Sequence, residues 1–355
     1  MRRSSVPIQV THDAPLAPRT TLGLGGAARR LVRAETVADL HEALALAAAA
    51  REPVLVLGGG SNLVVGDRGW DGLVIEMALA TVQVELAETS ALVSAFAGVR
   101  WDAFVAQMID AGLAGTECLS GIPGLVGATP MQNVGAYGQE VADTIVLVRA
   151  LDRETGQLAT FDRTACGFGY RSSVFKGSAR WIIVEVRFRF ARSPESAPIK
   201  YPELARALGI GEGGHAPLAD VRRTVIELRR GKGMVVDAAD PESRSAGSFF
   251  MNPIVDALAL TAIEARVPAG TTMPRFAAAD GATKLSAGWL IEQAGFAKGY
   301  TVGRVGISRK HALALVNRGG ATTAELLGLA RAIQDGVHAR FGVTLVPEPV
   351  IVGAS

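Results

Sequence analysis

Cysteine is almost missing from this chain of 355 residues: Cys118 and Cys166 stand far apart and share no metal-type spacing. Neither a disulfide framework nor a cysteine-held metal is therefore expected, and both read as small hydrophobes in a reducing compartment. A surplus of either charge is also lacking. The 36 basic and 34 acidic residues leave a formal charge of +2, with no bulk field to attract nucleic acid or a membrane surface. Long apolar runs are absent too, since "ALALAAAA" at 43–50 falls far short of the ~20 residues of a membrane span. The start, "MRRSSVPIQVTHDAPLAP", has the basic residues of a signal peptide without its apolar stretch. The expectation is a cytoplasmic monomer with no nucleic-acid or membrane partner and no metal.

Glycine is abundant, 41 residues without a collagen-like period, which implies many tight loops. Hydrophobic residues at 49% and charged residues at 20% describe a well-packed globule, and the length calls for two or three domains. The chain alternates strands and helices with no internal repeat. "ETVADLHEALALAAAA" opens with Thr36 and Asp39 as a capping box and carries Leu40, Leu44 and Ala47 on one helical face. "WDAFVAQMIDAGLAG" repeats the helical period and stops at Gly112. "WIIVEVRFRFA" alternates like a half-buried antiparallel strand. "TTAELLGLARAIQDGVHARFG", capped by Thr322 and Glu325, leads into a terminal strand in "TLVPEPVIVG". The Pro- and Ser-rich stretch 191–208 reads as an excursion or mobile loop.

Two glycine-rich segments carry the chemistry. Gly58, Gly59 and Gly60 follow the strand "PVLVL" and precede Ser61 and Asn62, but the chain then continues as strands, which excludes a Rossmann fingerprint. The segment reads equally as a tight turn and as a nest of backbone N–H groups for a pyrophosphate. "SGIPGLVGATPMQNVGAYGQE", 120–140, is denser in Gly and Pro than a core element tolerates and less polar than a solvent loop. Such a loop suits a flat aromatic cofactor with phosphates, because backbone can approach it closely; the other reading is a merely buried loop. Ser248, in "SAGSFFMNP", reads either as a turn residue or as a hydroxyl with something to act on.

"LGGGSN", the 120–140 segment, "FGYRSSVFK", "AGSFFMNP", "KLSAGWLIEQAG" and "PEPVIVG" resemble, in that order, the signature blocks of the UDP-N-acetylenolpyruvoylglucosamine reductase (MurB) family. The resemblance runs from about Thr21 to Gly353. It implies an α+β protein: an FAD-binding fold of two subdomains, of the vanillyl-alcohol-oxidase / p-cresol-methylhydroxylase (PCMH/VAO) type, plus a C-terminal α+β substrate-binding domain. The divisions expected are 1–77 with 345–355, 78–235 and 236–344. It implies non-covalent FAD, NADPH as reductant, and the enolpyruvyl ether of UDP-N-acetylglucosamine as substrate. The flavin would be held by Gly58, Gly59, Gly60, Ser61 and Asn62, and by Gly121, Ile122, Pro123, Gly124, Gly127, Ala128, Gln132, Asn133, Gly135, Ala136, Tyr137 and Gly138.

The same resemblance makes Ser248 the general acid, Arg171 the cation holding the developing enolate, and Glu348 a carboxyl of raised pKa between Pro347 and Pro349. Lys232, Tyr170, Asn252, Lys284 and Gln293 would line the substrate, and Tyr201 would ride on a lid that marks the longer subclass. Lys232 also reads as a solvated loop lysine, and Gln293 as a helix-surface residue. Met251, Thr20 and Pro349 depart from the usual residues of their blocks. Two other functions compete: another FAD-dependent oxidase on this scaffold, and a non-catalytic flavin or nucleotide-sugar binder.

Overall fold

In the computed structural model residues 8–354 are described; the basic start at 1–7 lies outside them. The chain forms two compact units. One gathers the residues up to Ala14, Ala28–Gly59 and Asp71–Arg230; the other gathers Pro15–Ala27, Gly60–Trp70 and the chain from Gly231 onward.

The first unit holds two larger sheets and a two-stranded ribbon of Gly135–Ala136 with Gln139–Glu140. Strands Val10–Pro15, Ala27–Ala34, Trp70–Met77 and Val54–Leu57 lie side by side in that order, the last pair parallel. A larger antiparallel sheet runs Leu158–Asp162, Ile145–Asp152, Trp181–Arg192, Ser90–Phe96 and Val82–Leu86, with Leu113–Ala114 added to the end of its middle strand. The alternating segment is the central strand of this sheet, antiparallel to both neighbours as expected, with Arg189 on its polar face exposed. Val186, Phe188 and Phe190 are fully buried, and Glu185, on its polar face, is only 8% exposed and tied to Arg149 at 2.8 Å.

Helix Val37–Ala50 starts where expected, with Thr36 Oγ1 accepting from Asp39 N–H and Asp39 accepting from Thr36 N–H. It buries Leu40, Ala43 and Ala47, while Leu44 is only partly covered. Helix Trp101–Asp110 buries Trp101, Phe104, Val105, Met108 and Ile109 and ends at Gly112, whose φ of +67° suits glycine. Cys118 and Cys166 are buried; burial pushes the Cys118 thiol up strongly and the Cys166 thiol up to about 12.

The excursion at 191–208 has a core of its own. Ile199, Leu204 and Ala205 are buried with Ala216, Val221 and Val225, and helix Pro202–Leu208 ends at Gly209 in the left-handed region. The stretch expected to be an excursion or mobile loop thus packs apolar residues of its own, with Tyr201 left 40% exposed.

In the second unit, a single core joins Leu22, Leu24 and Val64 to Phe249, Phe250, Leu290, Ile307, Leu326, Ile333 and Phe341. Helix Thr323–Phe341 begins with a capping box of Thr322 and Glu325. Strand Val350–Val352 runs parallel to Leu63–Val65. Asp67 accepts from Thr323 N–H at 2.7 Å and Ala324 N–H at 2.9 Å, placing a carboxylate on the positive end of that helix.

These bonds explain why the compact units differ from the divisions expected. Segment 60–70 leaves the piece 1–77 because its strand and Asp67 are bonded within the second unit. Leu40, Leu73 and Ile75 share one core with Ala97, Leu151 and Val184, so that core spans residue 77. No helix of the described residues is long and apolar enough to cross a membrane.

Candidate active site

Strand Val54–Leu57 delivers Gly58 and Gly59 to the surface of the first unit. A Cβ on Gly59 would stand 2.7 Å from Gly124 Cα, so the two glycine-rich segments meet backbone to backbone. A Cβ on Gly58 would meet only Leu125 and Ala128, at 3.9 and 4.0 Å. Gly127 packs as closely on Ala97, at 2.5 Å from such a Cβ. The second segment turns through positive φ at Gly121, Gly124, Asn133, Tyr137 and Gly138, while Ile122, Pro123, Gln132, Gly135 and Ala136 are half-buried. Two edges of bare backbone, brought together with few charged side chains, fit the flat ring and pyrophosphate of a dinucleotide.

What sets the longer loop is a group of residues the sequence reading passed over. Asp102 accepts from Gly121 N–H at 2.6 Å and is gripped by Arg222 through two bonds of 2.7 and 2.9 Å. Burial raises the Asp102 pKa, but the Arg222 and Gly121 hydrogen bonds and the nearby Arg222 and Arg229 charges outweigh it and hold the carboxyl below its ordinary value. Buried Glu117 accepts from Gly115 N–H, Gln139 Nε2 and Ala197 N–H, joining the end of the loop to the excursion. Asp102 looks in sequence like a first-turn acid, and Arg222 and Arg229 like a solvated helix face. The spacing of seven between the two arginines was the available signal.

Asn133 is buried, and its side chain is committed to Glu140, Gly169 and Ala142. Its amide therefore shapes the loop. Tyr137 meets Tyr201 edge-on, with ring centroids 5.4 Å apart, and burial pushes the Tyr137 hydroxyl up to about 12. Arg171 has a φ of +52°, donates to Gly135 O at 2.9 Å and lies 5.5 Å from the centre of the Tyr170 ring. Arg171, Tyr170, Tyr137 and Tyr201 all belong to the first unit.

Gly60, Ser61, Asn62, Lys232, Ser248, Asn252, Lys284, Gln293 and Glu348 belong to the second. Gly60 is obligatory for space: a Cβ there would lie 2.0 Å from Arg19 O. Ser248 follows Gly247, at φ +74°, and precedes Phe249 and Phe250, which are 0 and 1% exposed and anchor it in the core. Among the described residues its hydroxyl has no hydrogen-bond partner, and the side chain is half-buried. Phe249 N–H donates to Leu313 O at 2.7 Å, Glu348 N–H to Phe249 O at 2.9 Å and Met251 N–H to Val346 O at 3.0 Å. The chain after Ser248 thus pairs antiparallel with the chain before and at Glu348, through Phe250 and Pro347.

Lys232 is half-buried one residue beyond helix Leu218–Gly231. Asn252 spends its side-chain oxygen on Ala287 N–H, at 2.9 Å, at the start of helix Ala287–Gln293. Lys284 lies on strand Thr283–Leu285 with its Nζ 5.8 Å from the Phe276 ring centre, and Gln293 ends the helix.

Family models match both halves: the FAD binding domain over residues 28–162, and the C-terminal domain of UDP-N-acetylenolpyruvoylglucosamine reductase over 240–352. The UDP-N-acetylenolpyruvoylglucosamine reductase of Thermobifida fusca is 51% identical over 349 residues, covering 97% of this chain and 98% of its own. The chain belongs to the UDP-N-acetylenolpyruvoylglucosamine reductase family. The Streptomyces coelicolor reductase is 48% identical over 359 residues, covering 99% of this chain and 93% of its own. The crystal structure of the MurB reductase from Thermus caldophilus matches with a TM-score of 0.66 at 27% identity, covering 97% and 98% of the two chains. As a member of this reductase family the protein is an FAD-dependent oxidoreductase, and the FAD binding model spans both glycine-rich segments.

Proposed function

We propose that this reductase converts the enolpyruvyl ether of UDP-N-acetylglucosamine to UDP-N-acetylmuramate, as a cytoplasmic monomer, in the making of peptidoglycan precursors, and that Ser248 supplies the proton. FAD, when bound, supplies the two-electron relay from NADPH to the vinyl carbon. Reduction at that carbon leaves negative charge beside the substrate carboxylate, and a proton must then arrive from one fixed side. The observation that carries the assignment is the Ser248 hydroxyl, without a hydrogen-bond partner among the described residues and held by two buried phenylalanines beside the Glu348 backbone. A serine is a weak acid, so its alkoxide needs a neighbouring cation, the task assigned to Lys232.

Arg171 suits the carboxylate, because guanidinium offers a planar fork and keeps its charge. Glu348, with a backbone narrowed by two prolines, donates a hydrogen bond to the charged intermediate. Tyr201 covers the diphosphate, Tyr170 walls the site, and Lys284, Gln293 and the Asn252 amide meet the UDP group. Gly58 to Asn62 and the 120–138 loop hold the flavin, with Asn133 acting through its backbone.

Anaerobic stopped-flow spectroscopy tests this on Ser248→Ala. Flavin reduction by NADPH should stay near the parent rate, while reoxidation by the enolpyruvyl ether slows by about two orders of magnitude or more. Equal slowing of both steps would sink the assignment. Reoxidation of the parent by oxygen alone would favour an oxidase, and a bound flavin that NADPH cannot reduce would favour a binder.

A further inference from the structure

Glu348 is gripped from two directions. Pro347 and Pro349 have no N–H, so the donors from Pro347 to Val350 are the N–H groups of Glu348 and Val350. The first reaches Phe249 O at 2.9 Å, next to Ser248, and the second reaches Asn62 O at 3.0 Å. The Asn62 side chain then returns, donating from Nδ2 to Glu348 O at 3.4 Å. Asn62 therefore holds the chain on both sides of Pro349. The proline already confines ψ of Glu348 to extended values. What freedom remains is the tilt of the peptide between Glu348 and Pro349, and the Asn62 amide is bonded to that carbonyl.

We propose that Asn62 is a positioning residue for Glu348, setting the backbone from which the carboxyl projects in addition to any part it takes in holding flavin. The inference rests on the role given to Glu348 above. It couples the end of the first glycine segment to the proton-transfer machinery through two hydrogen bonds, one of which a side-chain substitution can remove. Asn62→Asp keeps the size and puts an acceptor where the donor stood; Asn62→Ala removes the group.

The test is a double-mutant cycle with Glu348→Ala, run at saturating FAD, with FAD affinity measured separately by titrating the apoprotein. Each Asn62 variant should slow reoxidation by the enolpyruvyl ether about tenfold more than reduction by NADPH, and should shift the pH profile of reoxidation alone. In the Glu348→Ala background the same substitution should add little, because the group it positions is gone. Additive effects, equal slowing of both steps, or a loss fully restored by more FAD would overturn the inference. Normal reoxidation in Glu348→Ala by itself would instead remove the reading of Glu348, and the inference with it.

Discussion

Asp102 joins two arguments at one side chain. Its charge is held by Arg222 and Gly121 N–H against the cost of burial, so its folded pKa lies below the unfolded value of ~3.9. A depressed carboxyl contributes stability that is present above the unfolded pKa and is lost as pH falls through the folded one. Asp102→Asn should therefore cost about 1–2 kcal/mol at neutral pH, discounted for its partial exposure, with the gap closing in acid below about pH 4. Urea midpoints at pH 7 and pH 3.5 would show it, and a constant gap would mean that charge is not the cause. Gly59 makes a steric prediction beside Gly58. Gly59→Ala forces Cβ against Gly124 at 2.7 Å, whereas Gly58→Ala has ordinary contacts. Strain of about 1–3 kcal/mol should lower the stability of the first variant by that amount and leave the second near the parent value, by chemical denaturation of the apoprotein.

At the scale of elements, periodicity and caps were legible and the partners of each element were not. Thr36 with Asp39 and Thr322 with Glu325 announce their helices because a capping box is a local bond pattern. Asp67 could not be read the same way: it caps a helix whose first residues lie 256 and 257 positions away. Asp67→Ala removes both acceptors and should lower the stability of the second unit by about 1–2 kcal/mol, while Asp67→Asn keeps an acceptor and should cost less. Chemical denaturation of the three proteins decides between a cap and a surface charge. The apolar core of the excursion at 191–208 was illegible for a related reason. Its Pro and Ser content signals irregular backbone, but the burial of Ile199 and Leu204 depends on Val221 and Val225, supplied later in the chain.

For the whole molecule, a ligand that binds only the folded state must stabilise it by mass action. FAD at a hundred times its dissociation constant should add about 2.7 kcal/mol and raise the midpoint of thermal unfolding; an unchanged midpoint at that concentration would count against an FAD site. The division into two units is also a property of the whole. The N-terminal third supplies strands and a helix to one core and, through Leu22, Leu24 and Val64, three apolar side chains to the other. A boundary read along the chain at 77 cannot express that, because residues 15–27 and 60–70 leave and rejoin their neighbours twice.

The sequence by itself determined the family, the helices with local caps, and the glycine segments whose backbone must come close to something. These follow from residue order and from forces acting over a few positions. The tertiary structure alone decided that Gly59 abuts Gly124, that Asn133 spends its amide inside the loop, that Asp102 and Arg222 hold the loop, and that Asn62 grips the chain around Glu348. Each of these depends on residues brought together from distant parts of the chain, and no periodicity or motif encodes which distant donor will find which acceptor.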